Sequence, residues 1–174
     1  MHEPEVVFLD VHMPGLSGID AEAEAAWITQ AEIEDVEGIV EVASAAKFLQ
    51  SLPARQWAIV TSAPRALALR RMAAAGIPEP AVMVTAEDVS AGKPDPMGYR
   101  LAAQRLGVAV TECLIFEDAT VGIQAAEAAE ADLLIITSTH EHPLETSHAT
   151  MASYEGVGVQ QDETGRLMLT AIAI

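Results

Sequence analysis

The chain has 174 residues, a formal net charge of −17 at pH 7 and hydrophobic residues at 51% of its positions. This length suffices for one substantial hydrophobic core, and the apolar fraction excludes a disordered chain. The negative charge excludes nucleic acid as a partner, because its phosphates would be repelled. The chain shows no signal peptide, no run of the ~18 apolar residues that a membrane span needs, and only one cysteine, Cys113, so we expect a cytoplasmic protein without membrane contact.

Short apolar runs alternate with helical stretches, a pattern typical of an α/β fold with a mostly parallel sheet. We expect a first strand at Val6–Leu9 that ends on Asp10, followed by a turn-rich loop and an acidic helix from Asp20 to about Asp35. Further on we expect helices at 44–52, 64–75, 96–106 and 121–130, strands at 57–60, 81–84, 114–116 and 133–136, the last strand of the core, and a hairpin over 157–174.

Three of these predicted strands end on polar residues. They are Asp10, the pair Thr61 and Ser62, and the pair Glu117 and Asp118. Sites in open parallel α/β sheets form at the carboxyl ends of the strands, so we expect these residues to converge.

The residue types at these strand ends suit phosphate chemistry. Lys93 can present a positive charge to a phosphate, and the Thr61 and Ser62 hydroxyls can donate hydrogen bonds to it. Carboxylates such as Glu117 and Asp118 suit Mg²⁺, and Asp10 can attack phosphorus. Each residue alone also fits a cap or turn, and it is their combination and order that favour a site.

Four stretches resemble the motifs of haloacid dehalogenase (HAD) superfamily hydrolases, in the branch of glycerol-3-phosphate phosphatases, sugar phosphatases and β-phosphoglucomutase-like proteins. The stretches are WAIVTS at 57–62, TAEDV at 85–89, GKPDP at 92–96 and FEDATVGI at 116–123. The resemblance implies a Rossmann-like core with a mostly parallel sheet flanked by helices. It also implies that Thr61 binds the phosphoryl group, that Lys93 stabilises the phospho-intermediate, and that Asp118, assisted by Glu117, holds Mg²⁺ together with the nucleophile Asp10.

The chain departs from this family at the first motif and in the cap. The family motif Asp-x-Asp-Gly-Thr is matched by DVHMPG at 10–15, so that His12 stands where the family has its acid–base aspartate. A histidine can titrate near neutral pH, and His12 is our candidate for that role. Only about 50 residues separate Asp10 from Thr61, so the cap is expected to be reduced or absent, which would favour a homodimer by exposing apolar surface. We expect a single core domain over 1–174, in which 1–19 are atypical, 20–42 are the remnant of the cap end and 43–174 form the core.

Residues 4–18 also resemble the phospho-acceptor segment of response-regulator receiver domains, which would receive a phosphoryl group on Asp10. A complete receiver needs an acidic pair at the end of an earlier strand, and this chain has no such strand.

We therefore expect a Mg²⁺-dependent phosphatase that acts on small phosphorylated sugars or polyols through an aspartyl-phosphate on Asp10. Two alternatives remain. One is a catalytically degenerate HAD-fold protein that binds phosphate, Mg²⁺ or a partner, and the other is a phospho-acceptor module.

Overall fold

The structure is a computed structural model that describes residues 6–9 (backbone only), 30, 32, 33, 35–140 and 145–171. Asp10 and His12 lie outside the described residues, as does most of the predicted acidic helix, of which residues 30, 32 and 33 are helical. In the described part of the chain, no helix combines the length and the hydropathy that crossing a bilayer requires.

The main sheet has six parallel strands in the order β3-β2-β1-β4-β5-β6. The bounds are β1 Val6–Leu9, β2 Trp57–Val60, β3 Val82–Val84, β4 Cys113–Glu117, β5 Asp132–Ile136 and β6 Ala149–Met151. The helices are α1 Ala45–Ser51, α2 Arg65–Ala74, α3 Met97–Leu106 and α4 Thr120–Ala129, with short 3₁₀ turns at Ala86–Asp88 and Val110–Glu112. This arrangement confirms the predicted α/β fold with a parallel sheet.

Helices cover both faces of the sheet, because alternate strand residues point to opposite sides. On one face Trp57 and Ile59 pack with Phe48 of α1 and Met72 of α2. On the other face the strands meet α3 and α4 through small side chains, which are listed here: Ala58, Ala102, Ala103, Ala125, Ala126 and Ala129. A chain with only 4% aromatic residues thus builds a dense core by bringing two alanine-rich helices close to the sheet.

The expectation that 133–136 would be the last core strand was wrong. β6 pairs in parallel with β5, with Ile135 opposite Thr150 and Ile136 opposite Met151. The sequence of β6 gives no strand signal because it is three residues long and mostly exposed at the edge of the sheet.

The predicted tail hairpin is confirmed as strands β7 Val157–Gln161 and β8 Leu167–Ala171. Asp162 builds its turn, since its Oδ1 atom accepts hydrogen bonds from the backbone N–H groups of Thr164 and Arg166 at 2.7 and 2.9 Å. The hairpin packs on the α1 face of the sheet through the fully buried Leu167.

Candidate active site

The topology brings the predicted strand ends together. β1 lies between β2 and β4, and its last residue, Leu9, pairs with Ile59 on one side and with Phe116 on the other. The residues that follow β2 and those that end β4 therefore flank the carboxyl end of β1. Asp10, the predicted nucleophile, comes next in the chain after Leu9 but is not among the described residues.

Glu117 is the last residue of β4 and is 1% exposed. Its Oε1 atom accepts hydrogen bonds from Lys93 Nζ and from the Tyr99 hydroxyl, both at 2.5 Å. Its Oε2 atom accepts hydrogen bonds from the backbone N–H groups of Asp118 and Ala119 at 3.1 and 3.2 Å. Both oxygens of this buried carboxylate are therefore satisfied by protein donors, as a buried charge requires.

A glycine makes room for this carboxylate. A Cβ atom at Gly122, in the first turn of α4, would overlap both oxygens and the carboxyl carbon of Glu117. The absence of a side chain at Gly122 therefore lets the backbone of α4 lie directly against the buried carboxylate.

Lys93 reaches Glu117 from the loop that precedes α3. Its side chain is 7% exposed, and its ammonium lies 3.4 Å from the carbonyl oxygen of Val60 and 5.1 Å from the centre of the Tyr99 ring. Carboxylate, carbonyl and aromatic face thus surround the ammonium with negative potential, which offsets its loss of water. The arrangement places one cation beside the carboxyl ends of β2 and β4.

The ionisation of Glu117 follows from these contacts. Burial alone would raise the pKa of the carboxyl, but the Lys93 ammonium, the Tyr99 hydroxyl and the Ala119 N–H hold the pKa of Glu117 below its ordinary value. Glu117 is therefore ionised at neutral pH.

Thr61 and Ser62 follow β2 and line a cavity of about 170 Å³ together with Thr85, Lys93 and Tyr99. Thr61 is buried, its N–H donates to the carbonyl oxygen of Val84 at 2.9 Å, and its Oγ1 atom accepts from the Ala63 N–H at 3.1 Å. Ser62 is exposed. The Thr61 hydroxyl proton remains available to a ligand, because the contact with Ala63 uses the oxygen only as an acceptor.

Asp118 follows Glu117 and is half-buried. Strand alternation directs it away from α3 and towards the face that holds Tyr154, where burial, Asp118 and Glu117 raise the pKa of Tyr154 well above its ordinary value. Among the described residues, no group of three or more His, Cys, Asp or Glu side chains is placed to hold a metal ion. Asp118 would supply one carboxylate, which fits a Mg²⁺ ion because Mg²⁺ takes few protein carboxylates and completes its shell with phosphate and water.

The Lys93 loop is anchored by a second charged cluster. Asp88 accepts hydrogen bonds from the N–H and the hydroxyl of Thr85, and it forms ion pairs with Arg105 at 2.7 Å and with Arg65 at 3.1 Å. Glu87 accepts from the Arg65 N–H, and so caps the start of α2. Helices α2 and α3 are thereby tied to the turn from which the loop to Lys93 departs.

Among the described residues, Thr61, Ser62 and Lys93 line one cavity, and Lys93 pairs with Glu117, which Asp118 follows in the chain. Their assignment as site residues stays a prediction. Sequence reasoning missed Tyr99, which looks like an ordinary apolar position of α3, and the anchoring role of Asp88. Gly122 stood within the resemblance at 116–123 without a stated role. Its position five residues after a strand-end carboxylate was the available signal.

The chain is similar in sequence to known phosphatases. The family model for haloacid dehalogenase-like hydrolases matches residues 7–130. Hexitol phosphatase A of Escherichia coli is 35% identical over 160 residues, which are 90% of this chain and 74% of that protein. Glycerol-1-phosphate phosphohydrolase 2 of Saccharomyces cerevisiae is 34% identical over 114 residues, 62% of this chain, and the match spans 44% of the yeast protein.

A solved structure shares the fold. The chain of CbbY from Rhodobacter sphaeroides, determined in complex with xylulose-(1,5)bisphosphate, superimposes with a TM-score of 0.70 at 17% identity. The superposition covers 89% of this chain and 96% of that one. The family match extends over most of the chain and includes β1, the Lys93 loop and the Glu117 strand end, so the chain belongs to the haloacid dehalogenase-like hydrolases.

Proposed function

We propose that this chain is a Mg²⁺-dependent phosphatase of small phosphorylated sugars or polyols. The observation that carries the proposal is the buried Lys93–Glu117 pair, which sets a cation beside Thr61 at the carboxyl edge of a HAD-type sheet. Hexitol phosphatase A, a relative whose match covers 90% of this chain, supports a phosphorylated polyol as substrate.

The proposed chemistry has two steps. The Asp10 carboxylate attacks phosphorus, and the bond from phosphorus to the leaving oxygen breaks as that oxygen takes a proton from His12. Water then gives a proton back to His12 and attacks the aspartyl-phosphate, which releases inorganic phosphate and restores Asp10. We assign Thr61 and Ser62 as hydrogen-bond donors to the phosphoryl oxygens and Lys93 as the cation that balances their charge.

For the metal we propose Asp10 and Asp118 as the protein ligands. Glu117 was also predicted as a ligand, but both of its oxygens accept protein hydrogen bonds, which favours a role in holding Lys93. A bound Mg²⁺ would neutralise charge on the transferring phosphoryl group.

Phosphate release from a panel of hexitol phosphates, glycerol phosphates and p-nitrophenyl phosphate tests the proposal. We expect turnover that requires Mg²⁺ and that Asp10→Asn abolishes. Asp132→Asn is the matched control and should leave turnover unchanged. Asp132 is exposed and begins β5, so it lies at the amino ends of the strands, opposite the candidate site. The absence of turnover across the panel would refute the proposal.

The second candidate is a phosphate-binding HAD-fold protein with weak or no turnover, and the observation that favours it is His12 in the acid–base position. It predicts that Mg²⁺ with inorganic phosphate raises the melting temperature while turnover stays negligible. His12→Asp should then increase turnover, by as much as the ~10²–10⁴-fold typical of acid–base catalysis. Wild-type turnover as high as that of His12→Asp would count against this candidate.

A further inference from the structure

Tyr99 lies at the centre of the charged site although its ring belongs to the core. It is fully buried on α3, and its hydroxyl donates to the Glu117 oxygen that also accepts from Lys93 Nζ, each at 2.5 Å. The Lys93 ammonium also lies 5.1 Å from the centre of the Tyr99 ring. Tyr99 thus contacts both members of the ion pair.

One short segment of the chain supplies both donors. Asp95 Oδ1 accepts from the Met97 N–H at 2.9 Å and so fixes the first turn of α3, which carries Tyr99 six residues after Lys93. Gly98 allows this turn to lie against β2, since a Cβ atom there would be 2.9 Å from Val60 Cγ1. The packing of α3 against the sheet therefore sets the position of the phenol beside Glu117.

Two donors on one carboxylate oxygen compete for its charge. The neutral Tyr99 hydroxyl takes part of the negative potential of Oε1, so Glu117 holds the Lys93 ammonium less tightly than it would as the sole partner. A phosphoryl group that binds at Thr61 must share that ammonium with Glu117. By weakening the hold of Glu117, the Tyr99 hydroxyl favours the contact between the ammonium and the phosphoryl group.

We propose that Tyr99 is a positioning residue, whose hydroxyl weakens the Lys93–Glu117 pair and so keeps the Lys93 ammonium available to a phosphoryl group. The inference rests on the proposed function, because it assigns Lys93 to phosphate. The effect acts through Glu117, and Tyr99 itself need not touch the substrate.

The composition of the chain makes the test direct. The only two lysines are Lys47 and Lys93, so ¹³C labelling at the lysine ε carbon gives two NMR signals. Lys47 is exposed on α1 and serves as the internal reference. Inorganic phosphate, titrated in the presence of Mg²⁺, should shift the Lys93 signal and yield a dissociation constant.

In Tyr99→Phe we expect the phosphate dissociation constant to rise roughly three- to tenfold, because the change removes one hydrogen bond of ordinary net strength from the cluster. The Lys93 signal in the absence of phosphate should also move, since its ammonium turns more fully to Glu117. Ser51→Ala is the control: it removes a hydroxyl donor at the end of α1, which bonds to the Phe48 carbonyl oxygen at 2.6 Å, and should change neither quantity.

Wild-type values in Tyr99→Phe for both the dissociation constant and the Lys93 signal would overturn the inference. If Tyr99→Phe fails to fold, fluorotyrosine in the Tyr154→Phe protein modifies Tyr99 alone and makes it a stronger donor. Phosphate should then bind more tightly than to the Tyr154→Phe protein with ordinary tyrosine, and equal binding would overturn the inference. If phosphate leaves the Lys93 signal of the wild type unchanged, Lys93 does not bind phosphate and the proposed function is contradicted. The inference that Tyr99 weakens the Lys93–Glu117 pair is then judged only from the phosphate-free Lys93 signal of Tyr99→Phe.

Discussion

At the scale of single residues, the site depends on contacts that leave no space for an additional atom. The carboxylate of Glu117 occupies the volume in which a side chain at Gly122 would begin. Burial of the Lys93–Glu117 pair therefore requires a glycine in the first turn of α4.

Gly122→Ala should destabilise the protein by about 1–3 kcal/mol, because the new methyl group overlaps the carboxylate. The same change at an open helical site stabilises by up to about 1 kcal/mol. Urea unfolding measures the difference.

The control for this prediction is the same change in a Glu117→Ala background, where the carboxylate is gone and the added methyl should be stabilising. Equal or greater stability of Gly122→Ala in the wild-type background would contradict the predicted overlap.

At the scale of elements, the turn at Ala86–Asp88 joins α2 and α3 to the edge of the sheet through the ion pairs of Asp88. The Arg105 guanidinium, followed by the Thr85 N–H, holds the pKa of Asp88 well below its ordinary value. The carboxylate therefore contributes stability that is present above the ordinary pKa of an aspartate and is lost as the pH falls through its folded-state pKa.

We predict that Asp88→Asn lowers the free energy of unfolding by about 1–2 kcal/mol at neutral pH. The difference in the free energy of unfolding between the wild type and Asp88→Asn should become smaller below about pH 4. There the carboxyl of Asp88 takes up a proton in the unfolded wild type but not in the folded one. Urea titrations across this pH range measure the difference, with Asp132→Asn as control. A gap that stays constant with pH would exclude the ionic explanation.

The β7–β8 hairpin is attached to the core through Leu167. Leu167→Ala should reduce stability by about 2–5 kcal/mol, as is typical for a fully buried leucine, whereas Met168→Ala, on the other side of β8 and half-buried, should cost less. Chemical unfolding of both variants checks this. Equal losses would mean that the hairpin does not pack as described.

Elements with strong local signals could be predicted from the sequence. Strand β2 is a buried apolar run, and α3 lies between Pro96 and Gly107, a glycine at φ +81° that ends the helix. Strand β6 could not be predicted, because three edge residues have no period, and neither could the Tyr99–Glu117 bond, which joins residues 18 positions apart.

At the scale of the whole molecule, the strand order explains why the candidate site was predictable in outline. In a parallel sheet the carboxyl ends of all strands lie on the same side, so polar strand ends converge whatever their distance in sequence. The sequence could not show which partner each residue contacts. Glu117, for example, was predicted as a metal ligand, but it forms an ion pair with Lys93. The division into 1–19, 20–42 and 43–174, the cytoplasmic location and the homodimer stay predictions.

The arginines beside β3 bear on any such homodimer. The outward carbonyl of Met83 accepts hydrogen bonds from Arg65 at 3.2 Å and from Arg105 at 2.9 Å. A second chain that tried to extend the sheet at this edge would have to displace two guanidinium groups that Asp88 also binds. Two copies that associate should therefore meet elsewhere than along β3, which is left as a closed margin of each sheet.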